Sequence, residues 1–153
     1  MVSSPRVVIT SGAFDLIHPG HIFLLRYAKK LAGNKGKLIV VIARDITVLK
    51  RKGRKPILSE SDRLKVVNSI RYVDKAVLGF KPMSFKKIIE KYRPNIVVFG
   101  YDQEEVMSSF KDEARKHKWD IRIVRAPVFS SRKKYSTTQL IYKARNLRLA
   151  KKR

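Results

Sequence analysis

Short runs rich in valine and isoleucine recur along the chain and predict β-strands. Four runs are strong and one is weaker, and they span residues 6–10, 37–43, 95–99 and 120–124, with 74–78 as the weaker one. Three of the strong runs are almost continuous in β-branched residues, which is typical of strands buried on both faces of a sheet. This pattern favours a parallel sheet.

The segments between these runs carry apolar residues at helical spacing. They predict helices over residues 21–32, 61–70, 84–92, 104–117 and 137–149. Strands that alternate with helices indicate β–α–β crossovers. We therefore expect an α/β fold, a Rossmann-like three-layer sandwich with a five-stranded parallel sheet. Residues 1–153 are expected to form a single domain, with 143–153 as a basic C-terminal tail, and ligands are expected beyond the carboxyl ends of the strands.

The charge of the chain indicates an anionic partner. Its 153 residues include 36 Lys and Arg against 12 Asp and Glu, a formal net charge of +24. Such a charge fits nucleic acid, an anionic membrane or a small polyphosphate, and it does not choose among them. The chain has no cysteine, which excludes disulfides, thiolate nucleophiles and cysteine-ligated zinc. We expect a cytoplasmic protein, because no apolar run approaches the roughly 18 residues of a spanning helix and the N-terminus lacks the order of a signal peptide.

The segment after the first predicted strand contains the strongest candidate chemistry. Two of the three histidines in the chain, His18 and His21, fall here, and Pro19 between them marks a helix start. A helix N-terminus and neighbouring imidazoles both donate hydrogen bonds to phosphate oxygens. Gly20 leaves room for a flat ligand against the backbone. Two other interpretations remain open, since the histidines can cap and pack the helix or bind a transition metal together with Asp15.

Residues 12–21 resemble the H-x-G-H signature of the nucleotidyltransferase superfamily. Their longer form, G-x-F-D-x-x-H-x-G-H, is similar to the cytidylyltransferase-like branch. Residues 43–45, 52–57 and 135–138 resemble the same branch in the same order, and 52–56 look most like the archaeal FAD synthases, which are FMN adenylyltransferases. The resemblance runs from about residue 6 to residue 142. Many relatives have threonine where this chain has Ala13, so no hydroxyl contact is expected there.

The resemblance implies transfer of AMP from ATP to FMN, giving FAD and pyrophosphate. In that reaction His18 and His21 would stabilise the α- and β-phosphate oxygens, and Mg²⁺ or another divalent cation would accompany the triphosphate without a metal site of the protein's own. The alternative within the class is a CTP-dependent cytidylyltransferase acting on glycerol 3-phosphate or another polyol phosphate. Relatives of this branch are commonly dimers, so a homodimer is expected.

The resemblance also assigns binding residues along the chain. The nucleotide would be bound by Ala13, Phe14, Gly20, Arg63, Asp102, Tyr135, Ser136 and Thr137. The substrate phosphate would be bound by Asp15, Lys52, Arg54, Lys55 and Arg132. An aromatic wall for a flavin is expected from residues in or near the loops at the strand ends, namely Phe14, Tyr101, Phe129 and Tyr135.

Several of these residues have ordinary structural interpretations. The cations of residues 50–55 are also what a solvated basic loop contains, and Arg63 is also suited to a surface ion pair with Asp62 or Asp74. Asp102 is equally suited to a turn or a helix cap, and Ser136 begins a capping box.

A function of another class also has to be weighed. Residues 121–153 contain eleven Lys and Arg and no acidic residue, which is typical of a basic nucleic-acid-binding module. Such a module leaves the histidine motif unexplained, whereas incidental binding of polyanions is compatible with every alternative.

Overall fold

Five strands form one sheet in which all paired neighbours are parallel. The computed structural model describes residues 4–129 and 135–150, the last three of them by their backbone alone. In chain order the strands are β1 (Val7–Gly12), β2 (Lys37–Ile42), β3 (Lys75–Leu78), β4 (Ile96–Phe99) and β5 (Arg122–Arg125). The sheet order is β3-β2-β1-β4-β5. The chain changes direction across the sheet at β1, which is where open parallel sheets bind ligands.

Helices connect successive strands and follow the last one. They are α1 (Pro19–Ala32), α2 (Asp45–Lys52), α3 (Glu60–Asn68), α4 (Phe85–Tyr92), α5 (Glu104–His117) and α6 (Thr137–Ala150). The five predicted helices are confirmed within about two residues at each end. The sequence did not predict α2, and part of the basic segment that was expected to be a loop forms its last turn. Gly53 ends α2 in the left-handed conformation, with φ of 68°.

Alternate residues of the strands point to opposite faces of the sheet and pack against different helices. On one face, Val8 and Val98 pack with Leu25 of α1 and Val67 of α3. On the other face, the core contains residues of β1, β2, β4, α4 and α5, namely Ile9, Val41, Val97, Ile89 and Phe110. The predicted Rossmann-like sandwich with a five-stranded parallel sheet is confirmed. Across residues 4–129 and 135–150, no helix is long and apolar enough to cross a membrane.

Candidate active site

A cavity of about 470 Å³ opens at the carboxyl edge of the sheet. The segment that follows each of the five strands contributes to its lining, through Ala13, Ala43, Gly79, Gly100 and Ala126 in the order of the chain. The central strand β1 leads directly into the segment that carries the histidine pair. The ligand-binding edge expected from the topology therefore has a cavity at its centre.

His18 and His21 lie together in the lining of this cavity. Their rings are stacked, with centroids 3.8 Å apart and planes inclined by 27°. His18 is the N-cap of α1, and its Nδ1 accepts a hydrogen bond of 3.1 Å from the backbone N–H of Gly20. The capping interpretation is thus correct for His18, and it is compatible with a ligand-facing role because the ring also borders the cavity.

Both histidines are neutral at neutral pH. Burial lowers the pKa of His18, with Asp102 opposing the shift and Lys52 adding to it. Burial lowers the pKa of His21 to about 3, with further contributions from His18 and Lys52. Within the described residues the buried Nδ1 of His21 has no hydrogen-bond partner. Each neutral imidazole carries one N–H donor, so the two rings can both donate to an anion. Because neither ring is charged, they can stack without electrostatic repulsion.

Gly20 gives the His18 ring its space. A Cβ atom at residue 20 would lie 3.0 Å from both Cε1 and Nδ1 of His18. The glycine was expected to admit a flat ligand, and it does line the cavity. The structure gives a second reason for glycine at residue 20, since a side chain here would press against the ring of His18 and displace it.

Asp15 lines the cavity and also holds the chain in position. Its carboxylate is buried and accepts hydrogen bonds from the N–H groups of Ile57 at 2.8 Å and Leu58 at 2.9 Å. Arg54 lies 3.7 Å from the same carboxylate. These contacts and the negative charge of a carboxylate favour a positioning role for Asp15, and the predicted contact with a substrate phosphate stays a prediction. The described residues contain no group of three or more His, Cys, Asp or Glu placed to bind a metal ion together.

Arg63 is fully buried. Its guanidinium donates to the carbonyls of Ala13 and Leu58 and, at 2.7 Å, to the carboxylate of Asp45. These protein partners enclose the guanidinium and favour a structural role, and the predicted phosphate contact of Arg63 stays a prediction. The surface ion pair with Asp62 or Asp74 is wrong. Arg63 instead joins the segment after β1 to the starts of α2 and α3.

Among the predicted phosphate-binding cations, only Lys52 lines the cavity in the described structure. It is the last residue of α2 and acts electrostatically on both histidines. Arg54 is half-buried beside Asp15, with one buried nitrogen, Nη2, that has no hydrogen-bond partner among the described residues. Lys55 is exposed and does not line the cavity. Arg132 lies outside the described residues.

The predicted nucleotide-binding residues other than Arg63 surround the histidine pair. Asp102 lines the cavity after β4, and Tyr135, Ser136 and Thr137 line it at the start of α6. The Ser136 hydroxyl accepts from the N–H of Gln139 at 3.1 Å, which confirms that it caps α6. Asp102 is not the cap of α5, because the residue at that position is Gln103.

The expected aromatic residues also border the cavity, at Phe14, Tyr101, Phe129 and Tyr135. Phe14 is itself buried, and its ring centroid lies 5.2 Å from that of His21. The Phe14 ring therefore packs against His21 and helps to fix its position.

Sequence reasoning missed two parts of the site. Gln103 accepts from the N–H of Gly100 at 2.6 Å and donates to the carbonyl of Ser11 at 3.0 Å, so it joins the segments after β4 and β1. No motif marked it. The other missed part is an apolar lining near Phe80 and Met83, which no periodicity or charge pattern connected with the histidines.

Comparison with known proteins agrees with the resemblance seen in the sequence. The sequence model of the family described as cytidylyltransferase-like matches residues 9–143. An FAD synthase of Methanothermus fervidus is 39% identical over 140 residues, which cover 92% of this chain and 95% of that one. An FAD synthase of Korarchaeum cryptofilum is 39% identical over 143 residues, covering 94% and 96% of the two chains.

Solved structures show the same architecture. The crystal structure of a lipopolysaccharide core biosynthesis protein from Thermoplasma volcanium has a TM-score of 0.73 and 33% identity, and the match covers 82% of this chain and 98% of that one. A protein of unknown function from Archaeoglobus fulgidus, 17% identical with a TM-score of 0.61, shares the fold. From its histidine-centred cavity and these matches, the chain belongs to the cytidylyltransferase-like family.

Proposed function

We propose that this protein is an FMN adenylyltransferase, which transfers AMP from ATP to FMN and releases pyrophosphate. The observation that carries the proposal is the near full-length similarity, at 39% identity, to proteins named FAD synthase. The site supports the same class of reaction, because it combines neutral N–H donors with a cation in a cavity at the strand ends.

In the proposed reaction a phosphate oxygen of FMN attacks the α-phosphorus of ATP. The bond from that phosphorus to the oxygen bridging the α- and β-phosphates breaks, and its electron pair leaves with pyrophosphate. Negative charge rises on the α-phosphate oxygens and on the leaving group. The N–H groups of His18 and His21 stabilise this charge, and Lys52 adds a positive charge to the same region.

The start of α6 supports placement of the nucleotide near β4 and β5. Ser136 and Thr137 bring hydroxyl groups to the N-terminus of a 14-residue helix that borders the cavity. Hydroxyls and free backbone N–H groups at such a terminus suit phosphate oxygens. Asp102 lines the same side after β4 and suits a ribose hydroxyl as an acceptor.

Magnesium fits this site as a companion of the triphosphate. Mg²⁺ is commonly bound by one or two carboxylates together with substrate phosphates, without a protein cage. The triphosphate would provide most of the ligands of the ion, and Asp102, the carboxylate near the ribose in this proposal, lines the same cavity. When bound, the ion neutralises phosphate charge. Asp15 is not available as a ligand of the ion because its oxygens accept from Ile57 and Leu58.

Product analysis separates this proposal from its alternative. The purified protein is incubated with FMN, ATP and Mg²⁺, and separately with glycerol 3-phosphate, CTP and Mg²⁺, and products are separated by chromatography. We expect FAD and pyrophosphate from the first mixture at a higher rate than CDP-glycerol from the second. Turnover of the CTP mixture alone would establish the cytidylyltransferase alternative. Binding of RNA without turnover of either mixture would favour the nucleic-acid-binding module.

The remaining expectations stay predictions that accompany this proposal. They are a homodimer, a cytoplasmic location, and a single domain over residues 1–153. The basic tail at 143–153 begins within α6, and residues 151–153 lie outside the described structure.

A further inference from the structure

An apolar recess opens from the cavity on the face of the sheet that carries α4 and α5. Six residues from the β3–α4 connection, α4 and α5 line it: Phe80, Met83, Phe85, Ile88, Val106 and Phe110. None of these six side chains has an ionisable group, and only the thioether of Met83 is a weak acceptor, while Ser84 and Glu105 also line the cavity in the same segments. We call this region the α4–α5 recess. None of the motifs used to assign the reaction includes any of its residues.

The two sides of the cavity offer different chemistry. Towards β5 and α6 the lining contains Asp102 and the hydroxyls of Ser136 and Thr137. Towards β3 and α4 it contains the recess, with Arg51 and Lys52 of α2 also in the lining. An apolar recess beside two cations suits a molecule with a large flat ring system and one phosphate group.

Contacts at the rim connect the cations with the apolar surface. The Nη2 atom of Arg51 lies 3.5 Å from the sulfur of Met83. Met83 is 48% exposed, so its surface is available to a ligand. The ammonium groups of Lys87 and Lys91 each lie 5.8 Å from the centre of the Phe80 ring and stabilise its position.

We propose that the α4–α5 recess binds the isoalloxazine ring of FMN, with Met83 and Phe80 as residues that determine specificity for the acceptor. This inference rests on the proposed function for the identity of the acceptor. It places the ring against α4 and α5, on the face of the sheet opposite to α1 and α3. Tyr101 and Tyr135, which the sequence suggested as part of a flavin wall, then border the nucleotide.

Direct binding of flavins tests the recess. FMN and riboflavin are titrated by fluorescence anisotropy against the wild-type protein, Met83→Gln and Val66→Gln, with and without the α,β-methylene analogue of ATP. Val66 on α3 is the matched control, since it is 40% exposed and does not line the cavity. Thermal melts establish that all three proteins are folded. Affinity for the ATP analogue is measured separately by calorimetry.

We expect Met83→Gln to weaken FMN binding about 10-fold, because its amide loses solvation against the apolar ring. Riboflavin should lose the same factor, since it has the ring without the phosphate. The Val66→Gln protein and the affinity for the ATP analogue should stay within about twofold. Unchanged flavin affinity in Met83→Gln, an effect on FMN but not riboflavin, or no flavin binding to the wild-type protein would overturn the inference.

The inference and the proposed reaction fail in different ways. Flavin binding that depends on Met83, without FAD formation from ATP, would leave the recess as a flavin site and contradict the adenylyltransferase. FAD formation with wild-type FMN affinity in Met83→Gln would support the reaction and remove the recess from the acceptor site.

Discussion

The Nδ1 atom of His18 accepts a 3.1 Å hydrogen bond from the backbone N–H of Gly20. Because this nitrogen is an acceptor, the proton of the neutral ring resides on Nε2. The backbone at the start of α1 thereby selects the tautomer and fixes the ring. One histidine caps the helix with one nitrogen and presents a donor with the other.

Replacing His18 by asparagine separates these two roles. Asparagine is among the best N-cap residues, so His18→Asn should melt within a few degrees of the wild-type protein. It lacks the Nε2–H donor, and loss of such a donor to developing charge should lower the rate about 10²-fold. Steady-state kinetics and thermal melts measure the two effects. A near-normal rate, or a protein that unfolds, would assign the residue to structure alone.

The buried His21 makes the stability of the fold depend on pH. Its pKa is near 6.5 when unfolded and about 3 in the fold. Between these pH values the unfolded chain binds more protons than the folded one. The contribution of His21 to the free energy of unfolding is therefore complete above about pH 6.5 and is lost as the pH falls towards 3. His21 alone should make the free energy of unfolding roughly 3 kcal/mol lower at pH 4 than at pH 7.

Urea denaturation at pH 7 and pH 4 measures this contribution in the wild-type protein and in His21→Gln. The free energy of unfolding should fall more steeply with acidification in the wild-type protein. Equal losses in the two proteins would show that His21 is not buried in its neutral form.

Replacement of Arg63 should lower the stability of the fold more than it lowers the affinity for ATP. Arg63→Ala leaves the carbonyls of Ala13 and Leu58 and the carboxylate of Asp45 without this donor, so unfolding should become easier by about 3 kcal/mol. Lys65→Ala on the same helix, where Lys65 is 75% exposed, is the control and should change little. An Arg63→Ala protein with normal stability and reduced affinity for ATP would support a direct contact between Arg63 and phosphate.

Substitutions of Lys52 and Lys55 test whether ATP binding depends on a local contact or on the general electrostatic field of a chain with net charge +24. Each substitution by alanine removes one positive charge, but only Lys52 lines the cavity. We expect Lys52→Ala to raise the KM for ATP about 10-fold and Lys55→Ala to change it within about twofold. Kinetics at two salt concentrations check this. Equal effects that vanish together at high salt would mean that bulk charge dominates.

The sheet was predictable because its three central strands, β1, β2 and β4, are largely buried, so valine and isoleucine fill much of them. The loops that follow such strands meet at one edge, which predicts the histidine segment at the ligand-binding edge, whereas the start of α6 was assigned to the site by the family resemblance. Helix α2 escaped prediction because its single buried residue is Val48. One buried position in eight gives no helical periodicity to detect.

The parts of the site that were mispredicted depend on contacts between distant residues. Arg63 pairs with Ala13, 50 residues away, and with Asp45, 18 residues away, and a charged residue on a helix is ordinarily exposed. The α4–α5 recess combines residues near 83 with residues near 107, which only the sheet order brings together. Local patterns predict elements and their ends, whereas burial of a charge or the lining of a cavity requires the packed fold.

The fate of labelled phosphorus from ATP shows whether this protein transfers AMP to FMN at the histidine pair. The protein is incubated with FMN, Mg²⁺ and ATP labelled at the α-phosphorus, and in parallel with ATP labelled at the γ-phosphorus, using wild-type protein and His18→Asn. We expect the α label in FAD and the γ label in pyrophosphate, in equal amounts, with a rate about 10²-fold lower in His18→Asn. Absence of the α label from FAD, or an equal rate in the two proteins, would contradict adenylyl transfer at this histidine site.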